Sequence, residues 1–229
     1  YRRQRQMCIR DRSCDEYGNI NGREGKSACG SLGYAIVDAQ YADCVIAITD
    51  NLVPFPNIPA SIGMMYVDYV VEVDAIGDPK GIVSGSIRFN DNPRDLLIAN
   101  NAVKVIKASG LYKNGFRFQT GAAGSTLAVA KLLREEMKKD NIKASMALGG
   151  ITGYMVTMLE EGLIDGIYDT QSFDLDAVRS IRENTKHFEQ TASSYANPNN
   201  PTPAVNTLDF VFLGALEVDT DFNVNVMTR

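Results

Sequence analysis

The chain has one histidine, His187, and four cysteines with no CxxC spacing among its 229 residues. One imidazole and unpaired thiol spacing argue against a zinc site and against a disulfide scaffold, and fit reduced, structural cysteines in a cytoplasm. No run reaches the roughly 18 uninterrupted apolar residues of a membrane-spanning helix, and no charged-then-apolar leader opens the chain. Neither GxxxxGK[ST] nor GxGxxG occurs, which removes the two common phosphate-loop signatures. There is no internal repeat at a fixed period and no low-complexity tract. What is there is ordinary for a soluble globular protein: 45% apolar and 22% charged residues. The length suits one large domain or two modest ones.

The first twelve residues, YRRQRQMCIRDR, hold five Arg and one Asp and show no apolar period. They resemble a translated sequencing adapter more than a natural basic arm, and are set apart as a non-native segment, 1–12. Without them 18 of the 23 basic and 27 of the 28 acidic residues remain, a net charge near −9. That balance argues against nucleic acid or an anionic membrane as partner. Cys8 leaves with the segment, so Cys14, Cys29 and Cys44 are the thiols to place.

Ser13 to Gly33 is dense in Gly, Asn, Asp and Ser and reads as loop. Tyr34–Asp38 and Cys44–Thr49 are apolar runs of strand length, with a turn or brief helical turn between them. Pro54, Pro56 and Pro59 keep the chain extended before a strand at Val67–Val73. GDPKG and NDNPRD mark a boundary near residues 77–92, dividing 13–88 from 89–229. Beyond it strand and helix alternate. Helices are expected at Arg94–Ser109 (apolar face Leu97, Ile98, Ala102, Val105, Ile106), Ser125–Lys139, Ile151–Glu161 and Leu175–Asn184. Strands are expected at Phe116–Gln119, Ala144–Leu148, Gly166–Asp169 and Leu208–Leu213. Alternation at this spacing means βαβ units around a parallel sheet.

The stretch GFRFQTGAAGSTLAVA (115–130) is the most informative segment. A strand, a small-residue loop and a helix in succession bring bare N–H groups to a helix N-terminus, suited to a carboxylate, thioester oxygen or phosphate. LGGITG (148–153) is a second such elbow. Open α/β sheets bind ligands at the carboxyl ends of their strands, so two elbows at one edge favour a crevice over close strand–helix packing alone. Glu217 follows the apolar run LDFVFL between Leu216 and Val218. It reads either as a partly desolvated, reactive carboxylate or as a strand-edge group facing solvent, with Asp219 and Asp221 close by. His187 is more simply packing or surface than a base. The Asp15–Glu16 and Asp74/Asp78 pairs read as solvated turn residues, and YANP (195–198) as a loop able to line a pocket.

Taken in order, SCDEYGNINGREGKSACGSLGYAIVDA, NPRDLLIA, GFRFQTGAAGSTLAVAKLL, LGGITGYMV, LIDGIYDTQSFD, SYANP and ALEVDTDFNVNV resemble the alpha subunit of citrate lyase, from Ser13 to Thr228. The resemblance implies a CoA-transferase-like α/β fold of two similar domains with mainly parallel sheets, both incomplete here because the family's chains are longer. Residues 13–88 would be the C-terminal part of the first domain and 89–229 the N-terminal part of the second. It implies a cytoplasmic CoA-transferase that exchanges acetyl for citryl on the thiol of an acyl carrier. That thiol belongs to a phosphoribosyl-dephospho-CoA group on the gamma subunit, so this chain would hold no covalent cofactor and no metal. The beta subunit would then cleave the citryl thioester to oxaloacetate.

Carried over by position, the acyl-accepting Glu of related CoA-transferases is Glu217. If the reaction instead passes through a mixed acetyl–citryl anhydride, Glu217 would orient or polarise. Gln119, Gly121, Ala122, Ala123, Gly124 and Ser125, with Gly149 and Gly150, would hold the thioester oxygen and the CoA arm. The family tends to place a third glycine where this chain has Ala122 or Ala123, and alanine tolerates fewer backbone conformations. A nucleotide- or sugar-phosphate-binding α/β module without acyl transfer, resting on the same elbows, is the alternative, and an inert fragment is a third reading.

Overall fold

The computed structural model describes residues 6–11, 13–77, 92–122 and 124–226. The boundary expected at 77–92 and Asp78 fall largely or wholly outside them. Elements run β1 (Gln6–Asp11), β2 (Ser13–Asp15), β3 (Ile20–Asn21), α1 (Gly33–Tyr41), β4 (Cys44–Thr49), β5 (Leu52–Val53) and β6 (Tyr69–Glu72). They continue as α2 (Pro93–Ala108), β7 (Phe116–Thr120), α3 (Ser125–Asp140), β8 (Ala144–Ile151), α4 (Gly153–Glu160), β9 (Ile167–Ser172), α5 (Leu175–Glu183) and β10 (His187–Glu189). The last are α6 (Ala192–Ala196), β11 (Phe210–Phe212), β12 (Glu217–Val218) and β13 (Val224–Asn225).

The architecture is α/β with mainly parallel sheets. A five-stranded sheet in the order β10-β9-β8-β7-β11 is parallel throughout. Its core is Phe116, Phe118, Leu133, Met137, Ile151, Met155, Met158 and Ile167, contributed by the strands and by α3 and α4. A smaller parallel sheet, β1-β4-β6, and a mixed one, β3-β2-β5, border a second core of Cys14, Ile20, Leu32, Ile36, Val45, Ala47 and Ile62. Gln6–Asp11, within the segment set apart at the N-terminus, forms β1 and pairs in register with β4. β12 and β13 form an isolated antiparallel ribbon. Cys14, Cys29 and Cys44 are not disulfide-bonded.

Local chemistry explains the helices. Asn92 caps α2 by accepting from the Arg94 N–H at 3.0 Å, with Pro93 in the first turn. Asn141 ends α3 in the left-handed conformation, its N–H reaching the Met137 and Lys138 carbonyls. On α3, Val129, Ala130, Leu133 and Met137 are buried as the periodicity predicts.

Three expectations are corrected. Tyr34–Asp38 is not a strand but part of α1, which buries Gly33, Ile36 and Ala39 at helical spacing. A short apolar run does not distinguish the two periods by itself. On α2 the buried face is Ala99, Val103 and Ile106, while Leu97, Ile98 and Val105 are exposed. Apolar residues stand on both sides of that helix, and the face with the small residue is the one that packs against α3. Asp15 is wholly buried rather than solvated. It accepts from the Tyr17, Asn19 and Asn57 N–H groups and the Asn19 amide. Burial raises its carboxyl, but these four donors outweigh it and hold the group below the usual carboxylate range.

Candidate functional site

β7, β8 and β9 lie side by side and parallel, so both glycine elbows open at one edge of the large sheet. The first elbow, Gly121 to Gly124, is tied to β11 by the Gly121 N–H, which donates to the Phe212 carbonyl at 2.7 Å. Gly124 stands at φ +56° and ψ −127° immediately before α3, and no side chain caps that helix. Ala122 lies in this loop; Ala123 is outside the described residues. Thr120, the last residue of β7, buries a hydroxyl without a partner among the described residues, and Thr152 does the same just beyond β8.

The second elbow differs from the expectation. The strand does not stop at Leu148 but runs to Ile151, with a register shift between Gly149 and Gly150. Gly150 presses on the Phe173 ring, 2.0 Å from where a Cβ would sit. The anion position at the start of α4 is already filled by the chain itself. Asp174 Oδ2 accepts from the Gly153 N–H at 2.6 Å, while its Oδ1 caps α5 through the Ala177 N–H. Among the described residues, no carboxylate caps the first elbow.

Gln119 joins the two. It is 8% exposed and lies over Gly149, whose φ of +103° and lack of a Cβ leave room for the amide. Its Oε1 accepts a 2.8 Å hydrogen bond from the Tyr195 hydroxyl. Burial raises the Tyr195 phenol above its ordinary value, against the lowering by its hydrogen bond to Gln119. Tyr195 also walls a groove of about 300 Å³, whose other lining comes from Tyr34, Val37 and Tyr41 of α1 and from Ser193, Asn197 and neighbours. The YANP segment is thus part of the site. The sequence signal for it was weak, and the groove was hidden because α1 reads as a strand.

Glu217 is exposed on the β12–β13 ribbon, and its Oε2 accepts from the Asn225 side-chain amide at 3.0 Å. The solvent-facing reading of this carboxylate, not the desolvated one, describes its surroundings. Among the described residues no hydrogen bond joins it to either elbow. Asp219 is a turn residue. Asn223 by its side chain and backbone, and the Asp221 N–H, all donate to it and hold its carboxyl low.

His187 is buried with Nδ1 2.9 Å from Ser180 Oγ and Nε2 3.2 Å from Asp169 Oδ2. Ser172 Oγ donates to the same carboxylate oxygen at 2.5 Å. Ser31 reaches into this cluster from the loop before α1, donating its N–H to Ser172 Oγ and its hydroxyl to the Asp169 carbonyl. The cluster ties the loop before α1 to β9 of the large sheet. Among the described residues no group of three or more His, Cys, Asp or Glu could hold a metal, and no helix is long and apolar enough to cross a membrane.

Comparison with known proteins is consistent across three kinds of relative. The family described as "Citrate lyase, alpha subunit (CitF)" matches residues 7–229. The citrate lyase alpha chain of Klebsiella pneumoniae is 53% identical over 215 residues, covering 94% of this chain and 42% of the relative. That of Haemophilus influenzae is 52% identical over 215 residues, covering 94% and 43%. The chain therefore spans less than half the length of the curated relatives it matches. A Streptococcus mutans structure described as the alpha subunit of citrate lyase in complex with citrate superposes with a TM-score of 0.92 at 55% identity, covering 97% of this chain and 44% of that one. A malonate decarboxylase alpha subunit from Acinetobacter baumannii, at 18% identity and a TM-score of 0.65, covers 98% and 41% and shares the fold.

Proposed function

The chain belongs to the citrate lyase alpha-subunit family, and from that premise we propose that the protein is the acyl-exchange component of citrate cleavage. It moves the acyl carrier thiol from acetyl to citrate: acetyl carrier plus citrate gives citryl carrier plus acetate. The carrier thiol would be that of a phosphoribosyl-dephospho-CoA group on a gamma subunit, with a beta subunit cleaving the citryl thioester, and the complex would work in the cytoplasm. The citrate named for the Streptococcus mutans relative supports the substrate. The phosphate-module alternative is not favoured by this family membership.

In chemical terms a citrate carboxylate attacks the acetyl thioester carbonyl, forming a C–O bond and releasing the carrier thiolate. The thiolate then attacks the citryl carbonyl of the mixed anhydride, and acetate leaves. Each addition places negative charge on a carbonyl oxygen, which needs fixed donors more than it needs a base. The Gly121 N–H is taken by the Phe212 carbonyl, so the donors in reach are those at the start of α3, which no side chain caps, and the Gln119 amide near the end of β7. That uncapped elbow beside a clamped glutamine is the observation that carries the reading. Gly149 gives the amide its space, and Gly150 shapes the edge against Phe173.

Glu217 stands exposed on a ribbon, bonded to Asn225, so its place at the acyl centre, as acyl acceptor or as orienting group, rests on the family motif alone. The experiment uses the full-length subunit with its beta and gamma partners. Glu217→Gln lowers acyl exchange if the assignment holds, and unchanged turnover removes Glu217 from the mechanism. Saturable binding of a free phosphate ligand without any carrier would overturn the acyl-transfer reading.

A further inference from the structure

We propose that Tyr195 is a positioning residue for the acyl exchange, acting through Gln119; this rests on the acyl-transfer reading above. A glutamine amide has one accepting and one donating end, and a site that must hold a developing oxyanion needs the donating end outward. Free in solution the amide turns about its last torsion between both orientations. Here the accepting end is occupied: the Tyr195 hydroxyl donates to Oε1 at 2.8 Å, across 76 residues of sequence. The amide is also pressed flat. A Cβ on Gly149 would lie 2.8 Å from both Cδ and Nε2 of Gln119, so the Gly149 backbone forms the floor beneath it.

With Oε1 held and one face covered, the Nε2 protons are left as the outward donors, and Nε2 has no acceptor among the described residues. Gln119 is followed directly by Thr120, whose buried hydroxyl is also unpartnered, and then by the elbow at Gly121. Unpaired donors thus gather at one strand end, where a carbonyl oxygen would satisfy them. Tyr195 reaches this point from α6, a separate element, and its ring forms a wall of the adjoining groove. A substrate chain seated in that groove would touch the residue that sets the amide, which gives Tyr195 a part in coupling occupancy to reaction.

The test is steady-state acyl exchange by the full-length subunit assembled with its lyase and carrier partners. Tyr195→Phe keeps the ring and the groove wall and removes only the donor. The expected result is a kcat lowered by about tenfold or more with the citrate KM within about twofold, since an orienting contact is spent in the transition state. Gln119→Ala lowers kcat similarly, and the double variant is no worse than Gln119→Ala alone because both act through one amide. Undiminished kcat in Tyr195→Phe, or losses that multiply in the double variant, overturns the assignment. So does a fall in unfolding temperature above about 5 °C with KM and kcat moving together, the mark of a purely structural tie. Absence of exchange in the unsubstituted complex overturns the acyl-transfer reading and this proposal with it, whereas exchange at the unsubstituted rate in Tyr195→Phe overturns the Tyr195 role alone.

Discussion

His187 Nε2 lies 3.2 Å from Asp169 Oδ2, and both side chains are sealed from solvent. The pair bridges β9 and β10, and through Ser172 and Ser31 it fastens the loop before α1 to the large sheet. A carboxylate there loses its hydration, and burial raises the Asp169 carboxyl despite the lowering by His187 and Ser172.

From that direction follows a pH dependence. A carboxyl raised in the folded state contributes stability that is full below its unfolded value, 3.8, and is lost as pH rises through the folded value. The difference in unfolding free energy between the unsubstituted subunit and Asp169→Asn should therefore shift against the unsubstituted chain as pH rises from 3.8. The limiting slope is about 1.4 kcal/mol per pH unit. Urea unfolding at a series of pH values measures it, and a difference independent of pH would show that the carboxyl is not raised.

The opposite sign holds at Glu161. Arg134 and Lys138 both donate to its carboxylate, Lys138 at 2.9 Å, and Arg134 chiefly brings it down to about 2 from 4.5. This stability is present above 4.5 and disappears as pH falls toward 2. The cluster is partly exposed, so solvent screens it, and Glu161→Gln should cost only about 1 kcal/mol at neutral pH. The acid limb of the stability curve should become shallower in the same variant; an unchanged limb would exclude the pairing.

Gly33, with Gly63 as its control, tests the packing of the start of α1 against the large sheet. A Cβ on Gly33 would stand 2.4 Å from the Gln190 carbonyl and 2.5 Å from the Thr170 carbonyl, both backbone atoms that cannot step aside. Gly33→Ala should cost about 3 kcal/mol or more. Gly63, at φ −80° with nothing near, should accept alanine within about 0.5 kcal/mol. Thermal unfolding of the two variants side by side decides it, equal effects being the failing outcome.

Gly149→Ala attacks the site from its floor. The new methyl meets the Gln119 amide at 2.8 Å in a backbone at φ +103°, so the amide must leave its place. Acyl exchange should fall by about tenfold to a hundredfold, because displacement of a reacting geometry by about 1 Å is felt on that scale. A variant that folds and exchanges at the original rate would show that Gln119 does not act from this position.

Much of the large sheet was legible in the sequence because its signals are local. Asn92-Pro93 announces α2, and the small residues before Ser125 announce α3. The apolar spacing of Val129, Ala130, Leu133 and Met137 needed no partner to be read. Where the local signal was ambiguous the reading failed. YAIVD suits a strand or a helix, and only the burial of Ile36 and Ala39 against the second core selects the helix. The strand was expected to stop at Leu148 and a helix to start at Ile151, yet pairing with β9 keeps Gly149, Gly150 and Ile151 in the sheet.

The candidate site divides the same way. Glycine elbows at strand ends are a chain-local pattern, so their place at one edge of a parallel sheet could be read from spacing. Which of them is open could not, because Asp174 fills the second from a position 21 residues away. The burial of Asp15 depends likewise on Asn57, which no spacing rule connects to it.

By itself, then, the sequence determined the α/β alternation, the strand–elbow–helix units and the family, since each rests on short-range backbone preference or on residue identity. The tertiary structure decided that Tyr195 meets Gln119, that His187 meets Asp169 and that Glu217 stands in solvent. The reason is physical: a hydrogen bond between side chains remote in sequence costs loop-closure entropy and side-chain freedom, and only the packed sheet supplies the burial that offsets them.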